Sequence, residues 1–209
     1  MKSIKIAIFD YSAGNLGSLK STFHRIGFDD ITITNDFPTL EEADCIILPG
    51  VGSFGYCIKT LNQSGDASSF FKKFLKREGK LLVGICIGMQ LFADVSEESD
   101  GYNGLGLIPS CVRKIKVNIN QRLPHVGWNS IDKISNEPKT SNNVIDVYFD
   151  HSYKLVCDPD LVVSSAFYGE KIPAMVKKGN VVGLQFHPEL SGKFGSDLLK
   201  DILLGELNC

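Results

Sequence analysis

One stretch of the sequence carries residues in an order that could do covalent chemistry: Leu82-Val83-Gly84-Ile85-Cys86-Ile87-Gly88-Met89-Gln90. An apolar run that reads as a buried strand enters Gly-x-Cys-x-Gly, and a helix pattern follows. That is a nucleophile elbow with cysteine at the reactive position. Glycines on either side let the chain turn sharply without Cβ clashes, so the thiol projects above the sheet. The helix behind it lends a partial positive charge that favours thiolate. A cysteine at a strand end is ordinarily a small packing residue. The combination of strand, paired glycines and helix turns the reading of Cys86 towards a nucleophile.

A nucleophilic thiol needs a base, and the chain has four histidines. His24 falls within a helix pattern and reads as a surface or packing residue. His187 sits in Gln185-Phe186-His187-Pro188-Glu189, at the end of a predicted strand. In extended chain, residues i and i+2 project to the same side, and Pro188 biases His187 towards extended geometry. The Glu189 carboxylate can therefore accept from one imidazole nitrogen and leave the other for the thiol. On its own His-Pro-Glu reads as a turn at a strand end. Together with the elbow it reads as base and orienter, in the chain order Cys86, His187, Glu189.

Acyl transfer also needs donors for an oxyanion. The amide N–H of Ile87 is one, directly after the nucleophile. The loop Leu48-Pro49-Gly50-Val51-Gly52-Ser53-Phe54 supplies others at the end of a strand, where ligands collect in open α/β sheets. It lacks the Lys-Ser/Thr of a phosphate-binding loop, which makes phosphate the weaker reading.

The elements that must position these groups follow from hydrophobic periodicity. Ile4 to Phe9 reads as a buried strand, and Leu16, Leu19, Phe23 and Ile26 mark a helix ended by Gly27. Ile31 to Thr34 and Cys45 to Leu48 are further strands. Asp66 is the expected N-cap of a helix carrying Phe70, Phe71, Phe74 and Leu75 and ending near Gly79. Leu81 to Ile85 is the strand before Cys86, and Met89 to Phe92 opens the helix after it. Beyond residue 100 the pattern becomes one of half-exposed strands: Cys111 to Val117, Val144 to Phe149 and Leu161 to Phe167. Ala174 to Lys177 and Val181 to Phe186 form an expected hairpin, and Ser135 to Asn143 reads as a polar loop. Leu198, Leu199, Ile202 and Leu203 mark a last helix. The prediction is one α/β domain over residues 1–209, with an open, mainly parallel central sheet flanked by helices and an additional antiparallel sheet in the second half.

Composition bounds the rest. The 209 residues carry 22 Lys+Arg against 24 Asp+Glu, a formal charge of −2 that gives no electrostatic reason to expect nucleic acid or an anionic membrane. No run approaches the ~18 apolar residues of a membrane helix, and the N-terminus alternates like a strand, so a cytoplasmic protein is expected. Cys45, Cys57, Cys111, Cys157 and Cys209 show no zinc or disulfide spacing and read as packing residues; neither a metal nor a cofactor is expected.

Gly84-Ile85-Cys86-Ile87-Gly88-Met89-Gln90 with His187-Pro188-Glu189 resembles the class I (triad) glutamine amidotransferases. Gly14-Asn15-Leu16, Leu48-Pro49-Gly50-Val51-Gly52, Pro124-His125-Val126-Gly127-Trp128-Asn129 and Tyr148-Phe149-Asp150-His151-Ser152-Tyr153 narrow the resemblance to the glutaminase subunits that serve imidazole glycerol phosphate synthase. The resemblance implies hydrolysis of L-glutamine through Cys86, His187 and Glu189. It implies an oxyanion hole from Val51, Gly52 and Ile87, and glutamine contacts from Gly50, Gln90, Ser152 and Tyr153. It also implies ammonia transfer to a (βα)8-barrel cyclase in a heterodimer, with Asn15, Trp128 and Tyr148 near that interface. From composition alone Trp128, the one tryptophan, reads as core packing, and His125 and His151 read as satisfied polar groups under the sheet.

Two positions depart from the family pattern. Leu190 stands where a lysine usually follows His-Pro-Glu, a lysine associated with the partner contact; Lys171 or Lys193 could replace it in space. Ser110 replaces a glycine. The Leu190 departure leaves open a sister reading, in which the ammonia goes to a different synthase, such as one that amidates a bacterial surface sugar.

Overall fold

The computed structural model describes residues 4–12, 16–50, 52–132 and 145–207. Asn15, Val51, Val144, Cys209 and the expected polar loop at 135–143 lie outside the described residues. In chain order the elements are β1 (Ile6–Phe9), α1 (Leu16–Arg25), β2 (Ile31–Thr34), α2 (Phe37–Glu41), β3 (Cys45–Leu48), α3 (Phe54–Leu61), α4 (Ala67–Phe74), β4 (Leu81–Ile85) and α5 (Ile87–Gln90). There follow β5 (Val95–Ser96), β6 (Ser110–Lys114), β7 (His125–Ile131), β8 (Ile145–His151), β9 (Tyr153–Cys157), β10 (Val162–Tyr168), β11 (Glu170–Lys178), β12 (Val181–Leu184) and α6 (Gly192–Leu207).

Alternation along the buried strands divides the apolar residues between two cores. Ile6, Ile8, Cys45, Ile47, Leu81 and Val83 face α1 and α6, against Leu19, Phe23, Leu199 and Leu203. Ala7, Phe9, Ile46, Leu48 and Leu82 face the opposite layer, where Leu40, Phe54, Leu61, Phe71 and Phe74 of α2, α3 and α4 cover them. Asp66 caps α4 as expected, its carboxylate accepting the Ser69 N–H at 3.0 Å. The helix itself stops at Phe74, and turns carry the chain to Gly79.

The nine-stranded sheet has the order β2-β1-β3-β4-β12-β11-β10-β7-β8. Its first five strands pair in parallel, and the remainder pair antiparallel. The antiparallel strands of the second half therefore divide. Most of them prolong the central sheet, while β6 and β9 join β5 in a separate three-stranded sheet.

The helix expected to run through Phe92 is a single turn, Ile87–Gln90. Its continuation is diverted because a returning segment takes the carbonyls that a second turn would need. Leu105 N–H donates to Leu91 O at 2.8 Å, Leu107 N–H to Phe92 O at 2.9 Å and Gly106 N–H to Ala93 O at 3.0 Å. Among the described residues no helix is long and apolar enough to cross a membrane.

The elbow glycines are sites of close approach. A Cβ on Gly88 would lie 2.0 Å from the Leu48 carbonyl oxygen, and one on Gly84 would lie 2.5 Å from Gly88 backbone atoms. Gly88→Ala is therefore expected to destabilise the protein by about 1–3 kcal/mol or more. Gly205→Ala, on α6 with nothing within 4 Å of the new methyl group, is expected to stabilise it by ~0.5–1 kcal/mol. Urea denaturation of the two variants checks the difference in sign.

Candidate active site

β3, β4 and β12 are neighbouring parallel strands, so their C-terminal ends open along one edge of the sheet. Gly50 follows β3, Cys86 follows β4, and Gln185 to His187 follow β12. Sheet topology alone thus brings together residues some hundred positions apart in sequence.

Cys86 has φ 52° and ψ −109°, the strained geometry expected of an elbow. Its N–H donates to Leu184 O at 2.7 Å, and its carbonyl accepts from Met89 N–H (3.1 Å) and Gln90 N–H (3.3 Å). The thiol meets Asp150 O at 3.4 Å and the Gln185 side-chain amide at 3.7 Å. Gly50 packs against both the thiol-bearing carbon and the imidazole. A Cβ on Gly50 would lie 2.6 Å from Cys86 Cβ and 3.2 Å from His187 Cε1, a space only glycine can occupy.

His187 is held from three sides. Its Nδ1 donates to Glu189 Oε1 at 2.9 Å, leaving Nε2 for the thiol. Its backbone N–H donates to Tyr148 O at 2.8 Å. Ser191 Oγ donates to His187 O (2.6 Å) and accepts the Tyr148 N–H (3.0 Å). β8 is an edge strand four positions away from β12 in the sheet. The turn after β12 closes that edge, satisfying backbone groups that would otherwise be unpaired.

Burial pulls the His187 pKa down, but hydrogen bonding and charge interaction with Cys86 and Glu189 outweigh it and raise the value to about 10. At neutral pH the imidazolium is thus the favoured form of His187.

Two cavities meet at Cys86. One, of about 400 Å³, is walled by Leu16, Pro49, Gly50, His187 and Leu190. The other, of about 220 Å³, is polar, with Gln90, Glu98, Ser152 and Tyr153 in its wall. Gly52 and Ile87 line both. As the first residue of a helical turn, Ile87 has an N–H with no intrahelical acceptor. Gln90 Nε2 donates to Tyr153 O at 2.9 Å and to Gln185 Oε1 at 3.0 Å. Both its hydrogens are thereby used, and Gln90 can offer a ligand only its carbonyl oxygen.

The expected polar pair under the sheet is also present. His151 Nδ1 donates to Tyr153 O (2.8 Å), and His125 Nδ1 donates to His151 Nε2 (3.0 Å). Burial lowers the two pKa values to about 3 for His151 and about 4 for His125, which keeps both rings neutral. Trp128 is not core: it is 59% exposed on β7, edge-to-face with the half-buried Tyr148 at 6.1 Å. Its place on an outward-facing register position of the β7–β8 pair, opposite Tyr148, accounts for the exposure. Leu190 is exposed beside Lys193 in a neighbouring groove, and Lys193 is paired with Asp197. Lys171 lines a different cavity, with Lys154 and Cys157. Of the other cysteines, Cys45 and Cys57 are buried and Cys111 and Cys157 half-buried.

The sequence pattern assigns no role to three residues that the structure brings to the site: Gln185, Glu98 and Ser191. Gln185 has a signal, a polar residue continuing a strand that is otherwise fully buried. Glu98 has none, because its proximity to Gln90 depends on the turns after α5. There its carboxylate also accepts the Phe54 N–H at 2.9 Å.

The class-I glutamine amidotransferase family profile matches residues 7–205 of the chain. The imidazole glycerol phosphate synthase subunit HisH of Bacillus cereus (strain G9842) is 41% identical over 199 residues, covering 94% of this chain and 92% of that protein. The protein of the same name from Exiguobacterium sibiricum is 38% identical over 198 residues, covering 94% and 93%. A solved glutamine amidotransferase superposes with a TM-score of 0.74 at 18% identity, covering 98% of this chain and 99% of that one. Another, from Thermotoga maritima, superposes with a TM-score of 0.59 at 18% identity, covering 99% and 86%. At that identity the two structures speak for the fold alone.

The His187 environment has a measurable consequence. Its imidazole should stay protonated through neutral pH and titrate near pH 10 rather than near the ~6.5 of an unperturbed histidine. Cys86→Ala removes two influences that raise the value while burial continues to lower it, so the titration should move down. A folded-state pKa above the unfolded one stabilises fully below ~6.5 and loses that contribution as pH rises through about 10. NMR titration of the ring nitrogens in both proteins checks this.

Proposed function

The chain belongs to the class I glutamine amidotransferases, and from that premise we propose that it is the glutaminase subunit of an imidazole glycerol phosphate synthase. In this reading it hydrolyses L-glutamine to glutamate and passes the ammonia to a cyclase subunit for histidine biosynthesis. The observation that carries the glutaminase reading is the strained elbow that sets Cys86 against His187, itself hydrogen-bonded to Glu189. The acceptor side of the reading rests on the HisH relatives and their near-complete coverage.

The polar cavity suits glutamine. Gln90 Oε1, the Glu98 carboxylate and backbone groups of Ser152 and Tyr153 offer acceptors and donors for an α-amino acid, with Glu98 suited to the ammonium group. The side-chain carboxamide then reaches Cys86. Thiolate attacks the carboxamide carbon, and the resulting oxyanion takes hydrogen bonds from Ile87 N–H and the Gly50–Gly52 loop, whose Val51 amide belongs to the same expectation. The His187 imidazolium gives its proton to the departing nitrogen, the C–N bond breaks, and ammonia leaves a γ-glutamyl thioester. Neutral His187 next takes a proton from water as it attacks the thioester. Collapse expels the thiolate and frees glutamate. Glu189 keeps the imidazole oriented through both steps.

Trp128, Tyr148 and Leu190 form the exposed face offered to the partner, a (βα)8-barrel in this reading. The exposed Leu190 favours a second reading, in which the cyclase is replaced by a synthase for another acceptor whose surface meets an apolar residue rather than a lysine.

Glutamate release assayed with the partner should fall at least ~10²–10⁴-fold in His187→Ala and be abolished in Cys86→Ala; equal rates in wild type and Cys86→Ala would remove the triad. The gene should restore histidine-independent growth to a strain lacking its own glutaminase. Failure there, with glutaminase activity intact, would move the ammonia to another acceptor.

A further inference from the structure

Gln185 is fully buried, and a buried primary amide is costly unless its polar atoms are used. Its orientation is fixed from a distance by a group that can play only one part. Tyr153 O is a carbonyl and can only accept, so the Gln90 atom 2.9 Å away is the amide nitrogen. The second hydrogen of that nitrogen goes to Gln185 at 3.0 Å, so the Gln185 atom facing Gln90 is Oε1. Gln185 Nε2 is thereby turned towards Cys86, 3.7 Å from Sγ.

From this geometry we propose that Gln185 is a positioning residue for the nucleophile: its Nε2–H donates to the Cys86 sulfur and favours the thiolate over the thiol. The inference rests on the glutaminase reading of Cys86 and adds to it a residue outside the triad.

The chemistry of the three contacts explains why the bond discriminates between the two forms. A thiol can place its S–H on Asp150 O, at 3.4 Å, and is then a weak acceptor. A thiolate has no proton to give Asp150 and becomes a charged acceptor, for which an N–H donor is worth roughly twice a neutral one. Asp150 O therefore holds the resting thiol. Gln185 stabilises what remains after the proton moves to His187. Because Gln90 occupies Oε1, the Gln185 amide cannot flip to present oxygen to the sulfur. Gln90 also lines the polar cavity, so the donor to the nucleophile and the wall of the proposed glutamine pocket belong to one hydrogen-bonded chain.

The titratable groups around Cys86 are His187 with Glu189 behind it, Cys57 on α3, and His151 and the Asp150 side chain on β8, with Glu98 in the adjoining cavity. Gln185 does not ionise. A change in the Cys86 profile in Gln185→Met therefore reports the lost donor, and Gln185→Glu adds a charge that acts in the same direction.

The test is the pH dependence of Cys86 alkylation by iodoacetamide in the full-length chain, read at the Cys86 peptide by mass spectrometry. It is paired with steady-state glutaminase kinetics in the presence of the partner. Gln185→Met removes the amide from apolar surroundings. Gln185→Glu keeps its shape and the acceptor for Gln90 but turns a carboxylate oxygen to the sulfur. Both variants should shift the alkylation midpoint upward by about one pH unit or more. Both should lower kcat about 10- to 100-fold, with KM for glutamine changed less than ~3-fold. Folded variants whose midpoint and kcat match wild type would overturn the proposal, as would a change confined to KM. In the wild-type protein the Gln185 side-chain amide resonance should move with the same midpoint as the alkylation curve. An amide that does not respond overturns the proposal even if neither variant folds. A wild-type Cys86 that alkylates only near the ~8.5 of a free thiol would instead overturn the triad reading, and this inference with it.

Discussion

Everything at the proposed active site depends on holding one L-residue in a left-handed backbone conformation. Cys86 at φ 52° carries a strain of about 1–3 kcal/mol, and the surrounding structure must over-determine it. Three backbone hydrogen bonds do so, one from its N–H to β12 and two to its carbonyl from the following turn. Sterics do the rest. Gly84, Gly88 and Gly50 are places where backbone atoms or the Cys86 Cβ approach more closely than any Cβ allows, so β3, β4 and the elbow lock together only with glycine at those positions. A relaxed Cys86 would lower the thiol towards the sheet and lose the approach to His187.

The second constraint is electrostatic. Placing a histidine, a carboxylate and a reactive sulfur in a largely buried cluster is unfavourable unless each is hydrogen-bonded. His187 shows how the balance falls: burial opposes its charge, and the two partners reverse the outcome. His125 and His151 show the opposite balance. They are buried without an anionic partner, remain neutral, and serve as a rigid strut behind Tyr153. The same residue type thus sits in two different charge states, decided by the presence of Cys86 and Glu189 in one place and the absence of such partners in the other.

Much of this is legible in the sequence, for identifiable reasons. The elbow and His-Pro-Glu are local patterns whose geometry follows from backbone rules, and the unbroken apolar runs of β1, β3 and β4 report two-sided burial directly. What escapes depends on tertiary contacts. α3 follows a glycine loop whose composition reads as a turn, and α2 is a five-residue helix begun by Asp36 and Pro38. α5 reads as longer because its apolar pattern continues to Phe92; the interruption comes from backbone donors near residue 105. Glu98 and Ser191 reach the site through turns whose course no periodicity encodes. Composition assigns Trp128 to the core, yet its place in the β7–β8 register turns it outward.

β8 is where the exposed face and the chemistry become one object. Its Tyr148 side chain packs against Trp128 on the outer surface, while its backbone holds His187 through Tyr148 O and Ser191 through Tyr148 N–H. Two residues on, Asp150 O receives the thiol, and His151 ties the strand to Tyr153 in the polar cavity. A small shift of this edge strand would change hydrogen bonds of both Cys86 and His187, because those bonds are made to β8 backbone atoms rather than to adaptable side chains. A protein surface pressing on Trp128 and Tyr148 therefore bears directly on the strand that aligns Cys86 with His187. That mechanical connection would give the proposed partner, docked on this face, a physical route to the proposed reaction.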